Sequence, residues 1–357
     1  MEAAIVGPPQ GGKTAFFALL TGQLYSSLVI SHTIHKGVVV YQEPRIVQLN
    51  QISPADKITF PQITLFDLPG ALGHGEKVAP YPPQMLGELR GMDLLVLVVR
   101  EFKNPTVPPS LGEINPYKEW EEAELEFIVS DLATIEKRLE KIARQKSPAF
   151  KNEVDLLEKG RNVLEGGQPL RSRNWDRESE THLKGFGFLS LKPLLVVINT
   201  DEDRVSIVSD NEKEIEGSNT LTSRRKVLRV AVQWEDEVMK FTPEEQREFL
   251  AEARLSGSAS QRFMTAVFEL LDLIVFFTLS PKENTAWAIP RGSTALFAAG
   301  TIHKDMASGF IRAEVFPWHE LLEFGSPAKL KEKGKVRLEG KDYMVQDGDV
   351  LYIRFSH

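Results

Sequence analysis

The chain has no cysteine among its 357 residues, which excludes disulfide staples, thiolate zinc sites and cysteine nucleophiles together. It has no apolar run long enough to span a bilayer, and its first residues lack the basic-then-apolar order of a secretory leader. Nor is there an excess of positive charge. The 43 Lys+Arg stand against 50 Asp+Glu, a formal net charge of −7, which argues against non-specific coating of nucleic acid. The deficit is uneven, because from residue 281 onward 11 Lys+Arg face 10 Asp+Glu. Any RNA contact is therefore expected of the tail, and neither a DNA nor a membrane partner is expected. Hydrophobic and charged contents of 42% and 26% are ordinary for a globular protein, and the reading is a cytoplasmic protein of two or three domains.

What is present begins near the N-terminus, with "GPPQGGKTAFF" from Gly7 to Phe17. Four free positions separate Gly7 from Gly12-Lys13-Thr14, the spacing of a phosphate-binding loop. Small residues there let successive backbone N–H groups of Pro9–Ala15 (Pro9 itself lacking one) face phosphate oxygens at a helix N-terminus. The candidate nucleotide contacts are Pro9, Gln10, Gly11, Gly12, Lys13, Thr14 and Ala15. Lys13 would neutralise the β- and γ-phosphates, and the Thr14 hydroxyl would ligate Mg²⁺. The motif requires a strand before it and a helix after it. The apolar Glu2–Val6 and the run "KTAFFALLTG" supply both.

Three further apolar segments, "ITLFDLPG", "DLLVLVVREF" and "LKPLLVVINTDED", read as strands of a buried parallel sheet. The first ends in Asp67, placed to hold the metal through water, and in Gly70, placed to offer its N–H to the γ-phosphate. Thr33, in "SHTIHKG", is either the residue that folds over Mg²⁺ or a plain loop threonine. Asn199 and Glu202, after the last strand, stand where GTP-binding proteins place Asn-Lys-x-Asp. Thr200 for Lys and Glu202 for Asp weaken guanine reading, since an unpaired buried polar group costs roughly 1–3 kcal/mol. That points to ATP, with GTP left open.

Between residues 116 and 185 the texture is helical. Leu125, Ile128, Leu132, Ile135, Leu139 and Ile142 step by three and four, a heptad seam; Val154, Leu157 and Leu164 continue it with Arg161 at a seam position. Pro148 separates the two runs, predicting an antiparallel helical hairpin inserted into an α/β domain. After residue 280, short β-rich runs alternate with turns, predicting a small separate domain. The expected division is residues 1–115 and 186–280 for the nucleotide domain, 116–185 for the hairpin and 281–357 for the tail.

The stretches "AWAIPRGSTALFAAGTIHKDMASGFIRAEV" and "GKVRLEGKDYMVQDGDVLYIRF" resemble the TGS domain, a ubiquitin-like β-grasp, of the YchF/Obg-like ATPase family. "SHTIHKGVVVYQEPRI" and "VFELLDLIVFFTLSPKE" are similar at lower specificity, so the resemblance spans the chain. It implies a translation-factor-class P-loop ATPase with an Asn-x-x-Glu base motif, matched by Asn199 and Glu202. It also implies an aromatic against adenine, a place matched by Phe102, which is otherwise an ordinary core phenylalanine. The TGS domain implies a ribosome or RNA contact. Gln10 departs from the family's Asn, the residue that helps hold K⁺ in related cation-dependent enzymes, so potassium is left open. Ala71 offers no side-chain base to orient water, and "ALGHGEKVAPYPPQM", with its loop histidine His74, departs from the family's glycine-rich stretch. The expectation is a divergent member: a slow Mg²⁺-dependent ATPase switch, or else a nucleotide-sensing module with negligible turnover.

Overall fold

The protein is described by a computed structural model over residues 1–29, 33–68, 83–109, 112–145, 148–207 and 224–356. The first strands are β1 (Glu2–Val6), β2 (His35–Val40), β3 (Lys57–Thr59), β4 (Gln62–Asp67), β5 (Leu94–Arg100), β6 (Leu194–Asn199) and β7 (Arg225–Val230). All but β3 form one sheet in the order β2-β4-β1-β5-β6-β7. β5 and β6 are buried along their whole length, as their uninterrupted apolar sequences require of strands covered on both faces. The pairing is parallel from β4 through β7, with Ile5 beside Asp67 and Arg100 beside Asn199. Register thus brings the carboxyl ends of β1, β4, β5 and β6 to one edge, where open α/β sheets bind ligands. This unit comprises residues 1–39 and 63–266.

Helices α1 (Lys13–Thr21), α2 (Tyr25–Val29), α3 (Pro44–Ile52) and α4 (Pro83–Gly91) precede the long α5 (Pro116–Gln145) and α6 (Lys151–Glu165). Trp120, Ala123 and Phe127, near the start of α5, pack into the sheet's core with Leu97, Val99 and Leu189. Farther along, Ile128, Ile135 and Ile142 are buried against Leu157 and Leu164, forming the expected hairpin seam with Leu132, Leu139 and Val154 half-buried beside it. Two expectations need correction. Leu125 is 56% exposed and outside the seam. Arg161 also lies outside it, paired with Glu158 and Glu165, while buried Gly160 takes the place beneath the Ile135 methyl group. The 3.6-residue turn drifts from a strict heptad, which brings Gly160 rather than Arg161 to the inner face. The helix α7 (Arg177–Lys184) forms the return path, capped by the Asp176 side chain on the Ser179 N–H.

Asp131 anchors the hairpin to the domain. It is fully buried, and its carboxylate accepts the Leu189 and Ser190 N–H groups at 3.0 and 2.7 Å. Burial pushes its pKa up to about 6, against the pull of the Ser190 and Leu189 hydrogen bonds.

The chain continues through α8 (Val232–Val238), α9 (Pro243–Glu252) and α10 (Ala259–Leu270) to β8 (Leu273–Thr278) and β9 (Glu283–Pro290). Then come α11 (Ala295–Ile302), α12 (Lys304–Ser308), β10 (Phe310–Pro317), α13 (Trp318–Phe324), α14 (Pro327–Glu332), β11 (Arg337–Glu339) and β12 (Asp349–Phe355). The second sheet runs β11-β10-β12-β8-β9-β3. Ala295 and Ala298 of α11 pack on Ile274, Phe276, Val315 and Leu351, a sheet folded over one helix as a β-grasp requires. This unit takes residues 40–62 and 267–357, more than the 281–357 read from sequence. The reason is pairing: β3 runs parallel to β9, β8 pairs with β9 and β12, and Arg45 bridges Glu43 and Asp347 at 2.8 and 2.6 Å. No helix among the described residues is long and apolar enough to cross a membrane.

Two outcomes test this packing. Ile135→Ala should cost about 2–5 kcal/mol by urea unfolding, whereas Leu125→Ala should stay within about 0.5 kcal/mol. Between about pH 4 and 6 the unfolded chain loses the Asp131 proton while the folded chain keeps it, so this group makes stability fall as pH rises through that window. Asp131→Asn should remove that part of the slope in urea melts run at pH 4 and pH 7.

Candidate nucleotide-binding site

The turn after β1 is forced tight by what lies beneath it. A Cβ at Gly7, whose φ is +133°, would stand 2.3 Å from the Val98 carbonyl oxygen, and one at Gly12, φ +91°, would stand 2.3 Å from Asn199 Nδ2. Only glycine fits both places. Gln10 is exposed at the loop's tip with φ +63°, an unfavourable conformation for its long side chain. Pro9 is exposed, Gly11 is buried, and Thr14 and Ala15 are half-buried on the first turn of α1.

Lys13, 7% exposed, folds back so that Nζ donates to the Gly7 and Pro8 carbonyls at 3.0 and 2.7 Å. Burial lowers its pKa to about 8, partly offset by the nearby charges of Asp67 and Glu119. Among the described residues the hydrogen-bond partners of Lys13 are neutral carbonyls alone, an arrangement that an anionic phosphate would improve on. Asp67, 2% exposed, has one oxygen at 3.5 Å from His35 Nδ1 and its other oxygen, Oδ1, buried without a partner among the described residues. An orphaned carboxylate oxygen beside the phosphate loop fits a carboxylate kept for a hydrated cation. Thr33 is exposed just before β2. Gly70, with Ala71 and His74, lies outside the described residues.

At the end of β6, Asn199 is 5% exposed and connects three segments. Its Nδ2 donates to the Gly11 carbonyl at 3.1 Å, and its Oδ1 accepts the Val232 N–H at 3.4 Å. Its backbone oxygen accepts the Glu101 and Phe102 N–H groups at 2.8 and 3.0 Å. Phe102 is half-buried, with one face under the Arg100 guanidinium at 4.5 Å and its ring near Gly12. Glu202 is exposed on a single 3₁₀ turn, residues 202–204.

Sequence reasoning passed over four residues. His35 reaches Asp67 from the segment in which Thr33 was singled out. Glu119 opens α5, accepts the Arg100 N–H at 2.8 Å and adds to the field at Lys13. Arg100 wraps its guanidinium in the carbonyls of Phe102, Pro108 and Asn104. Glu101 is 5% exposed and ion-paired to Arg229. The one available signal was an Arg-Glu pair closing an otherwise apolar strand.

Comparison with known proteins places this geometry. The curated "Ribosome-binding ATPase YchF" of Bacillus subtilis is 32% identical over 365 residues, covering 100% of this chain and 99% of that protein. The chain belongs to the YchF family. The protein of the same name from Haemophilus influenzae is 33% identical over 365 residues, with 99% of each chain covered. Residues 273–356 match the YchF-GTPase_C family, described as a protein of unknown function (DUF933). The solved Schizosaccharomyces pombe YchF GTPase has the same fold: TM-score 0.82 and 23% identity, covering 99% of this chain and 97% of that one.

Within this chain the left-handed Gln10 is a local conflict, since Asn visits that conformation more readily. Gln10→Asn should raise unfolding free energy by up to about 1 kcal/mol in chemical melts. Gly12→Ala should do the reverse. Strain of about 1–3 kcal/mol and the collision with Asn199 should displace the cradle and abolish nucleotide binding in fluorescence titration.

Proposed function

We propose that this chain binds ATP in the loop formed by Gly7–Thr14, hydrolyses it slowly, and acts as a ribosome-linked switch. The observation that carries the reading is the buried Lys13 lying within the field of a buried Asp67 whose Oδ1 has no partner among the described residues, under a loop where only glycine fits at positions 7 and 12. Thr14 and Asp67 are the residues that would hold Mg²⁺, which supplies charge neutralisation on the phosphate oxygens. Lys13 exchanges its two carbonyl partners for β- and γ-phosphate oxygens. The backbone N–H groups from Gly11 to Ala15 fix the triphosphate for in-line attack by water, so positioning and electrostatics do the catalysis. Gly70, on our reading, adds its N–H at the γ-phosphate.

Adenine over guanine is supported by Thr200 and Glu202, with Asn199 setting the distance between phosphate cradle and base loop and Phe102 offering a ring near it. Binding without appreciable turnover is the second reading, favoured by Gln10 at the loop tip; potassium activation would be weak for the same reason. The ribosome link rests on the relatives' names. For this chain it is assigned to the β-grasp unit, where Lys329 and Lys333 are exposed on and beside α14.

Multiple-turnover phosphate release should fall by at least about 100-fold in Lys13→Ala. Equal, slow release by both proteins would favour the binding-module reading. Fluorescent ATP should bind more tightly than the GTP analogue, and the reverse order would overturn the adenine assignment. In ribosome co-sedimentation, Lys329→Glu/Lys333→Glu should lower the bound fraction at 0.1 M salt more than it does at low salt.

A further inference from the structure

We propose that Glu101 is a positioning residue for base selection: it clamps the base-reading loop, residues 199–204, to the end of β5. The inference rests on the reading that Asn199 and Glu202 face the purine. Four donors converge on this one buried carboxylate. Arg229 Nη1 and Nη2 approach it at 2.6 and 3.1 Å, Thr200 Oγ1 at 2.7 Å and Arg204 Nη2 at 3.0 Å. Thr200 and Arg204 belong to the loop itself, on either side of Glu202. Arg229 comes from the neighbouring strand β7 and also donates to the Arg204 carbonyl at 3.2 Å. The 3₁₀ turn that carries Glu202 is therefore gripped by its last residue's side chain and by that residue's backbone oxygen.

A second stitch lies alongside. The Lys103 N–H donates to Asp201 Oδ2 at 3.2 Å, and the Glu101 and Phe102 N–H groups share the Asn199 carbonyl. The loop bearing Phe102 and the loop bearing Glu202 are thereby fixed against each other at both ends. Thr200 occupies the place where GTP-binding proteins use a lysine, and its hydroxyl is turned inward to the clamp instead of outward to a base. Burial alone would raise the Glu101 pKa, but Arg229, Thr200 and Arg204 hold it below the ordinary carboxylate range, so the clamp stays ionised through neutral pH. Among the described residues the Glu101 carboxylate bonds to Arg229, Thr200 and Arg204, away from Lys13 and Asp67. Its loss should therefore act on the base and leave the phosphates alone.

The test compares ATP, GTP and inorganic tripolyphosphate binding to the full chain, wild type against Glu101→Gln, with Thr200→Val as a milder second variant that deletes one of the four donors. ATP affinity should fall about tenfold in Glu101→Gln and less in Thr200→Val, the ATP:GTP ratio should approach one, and tripolyphosphate affinity should stay unchanged. In turnover, KM for ATP should rise while kcat holds. Equal loss of ATP and tripolyphosphate would mark a merely structural role and overturn the proposal. So would unchanged ATP selectivity in both variants of a base-selective wild type. A wild type that binds ATP, GTP and tripolyphosphate alike would overturn the adenine reading and this inference together.

Discussion

Asn199 fixes the distances on which the site depends. Its side chain joins the phosphate loop at Gly11 to the start of α8 at Val232, and its backbone oxygen receives two N–H groups from the strand next door. All of this happens at 5% exposure, where each hydrogen bond left unmade would cost about 1–3 kcal/mol. The carboxamide also explains why residue 12 is glycine, since its Nδ2 occupies the space a side chain would need. With the loop pinned there, α1 can begin only at Lys13, and the Lys13 ammonium is delivered into the field of Asp67. Parallel register does the rest, because Arg100 beside Asn199 and Ile5 beside Asp67 leave no freedom in where the strand ends fall.

The two halves of the site treat buried charge in opposite ways. On the phosphate side, charges are left short of partners: Lys13 is held by neutral carbonyls and one Asp67 oxygen by nothing among the described residues. Such groups are costly in an interior and persist where a ligand completes them. At the end of β5, Glu101 is fully satisfied by two guanidiniums and a hydroxyl. A satisfied buried network holds its geometry and gains little from a ligand. The pocket around Lys13 and Asp67 is thus arranged to respond to an added charge, and the Glu101 cluster to stay fixed.

Local patterns made much of this legible. Near-continuous apolar runs mark β1, β4, β5 and β6, and the glycine spacing places Lys13 and Thr14 at the start of α1. The hairpin is readable from its three-four stepping, yet Leu125 and Arg161 fall outside the seam, because a strict heptad ignores helical drift. The second unit's share of residues 40–62 left no local mark. β3 is only Lys57–Thr59, and its partner β9 lies more than 200 residues onward, a pairing that no window of sequence contains. His35, Glu119 and Glu101 escaped for a related reason: each is an ordinary polar residue whose importance comes from what the fold sets beside it.

The divergence at Thr200 is better understood as reassignment than as loss. A lysine there would have to send its ammonium outward, since burial disfavours the charged form unless a partner is close. A threonine hydroxyl is short and neutral, and at 2.7 Å from Glu101 it satisfies the carboxylate from within the loop. Arg229 and Arg204 then carry the positive charge that the lysine would have brought, but they spend it on fixing the loop. Read as a motif, the base-binding sequence looks degraded. In the fold, Thr200 and Arg229 instead hold residues 199–204 to the buried Glu101 carboxylate.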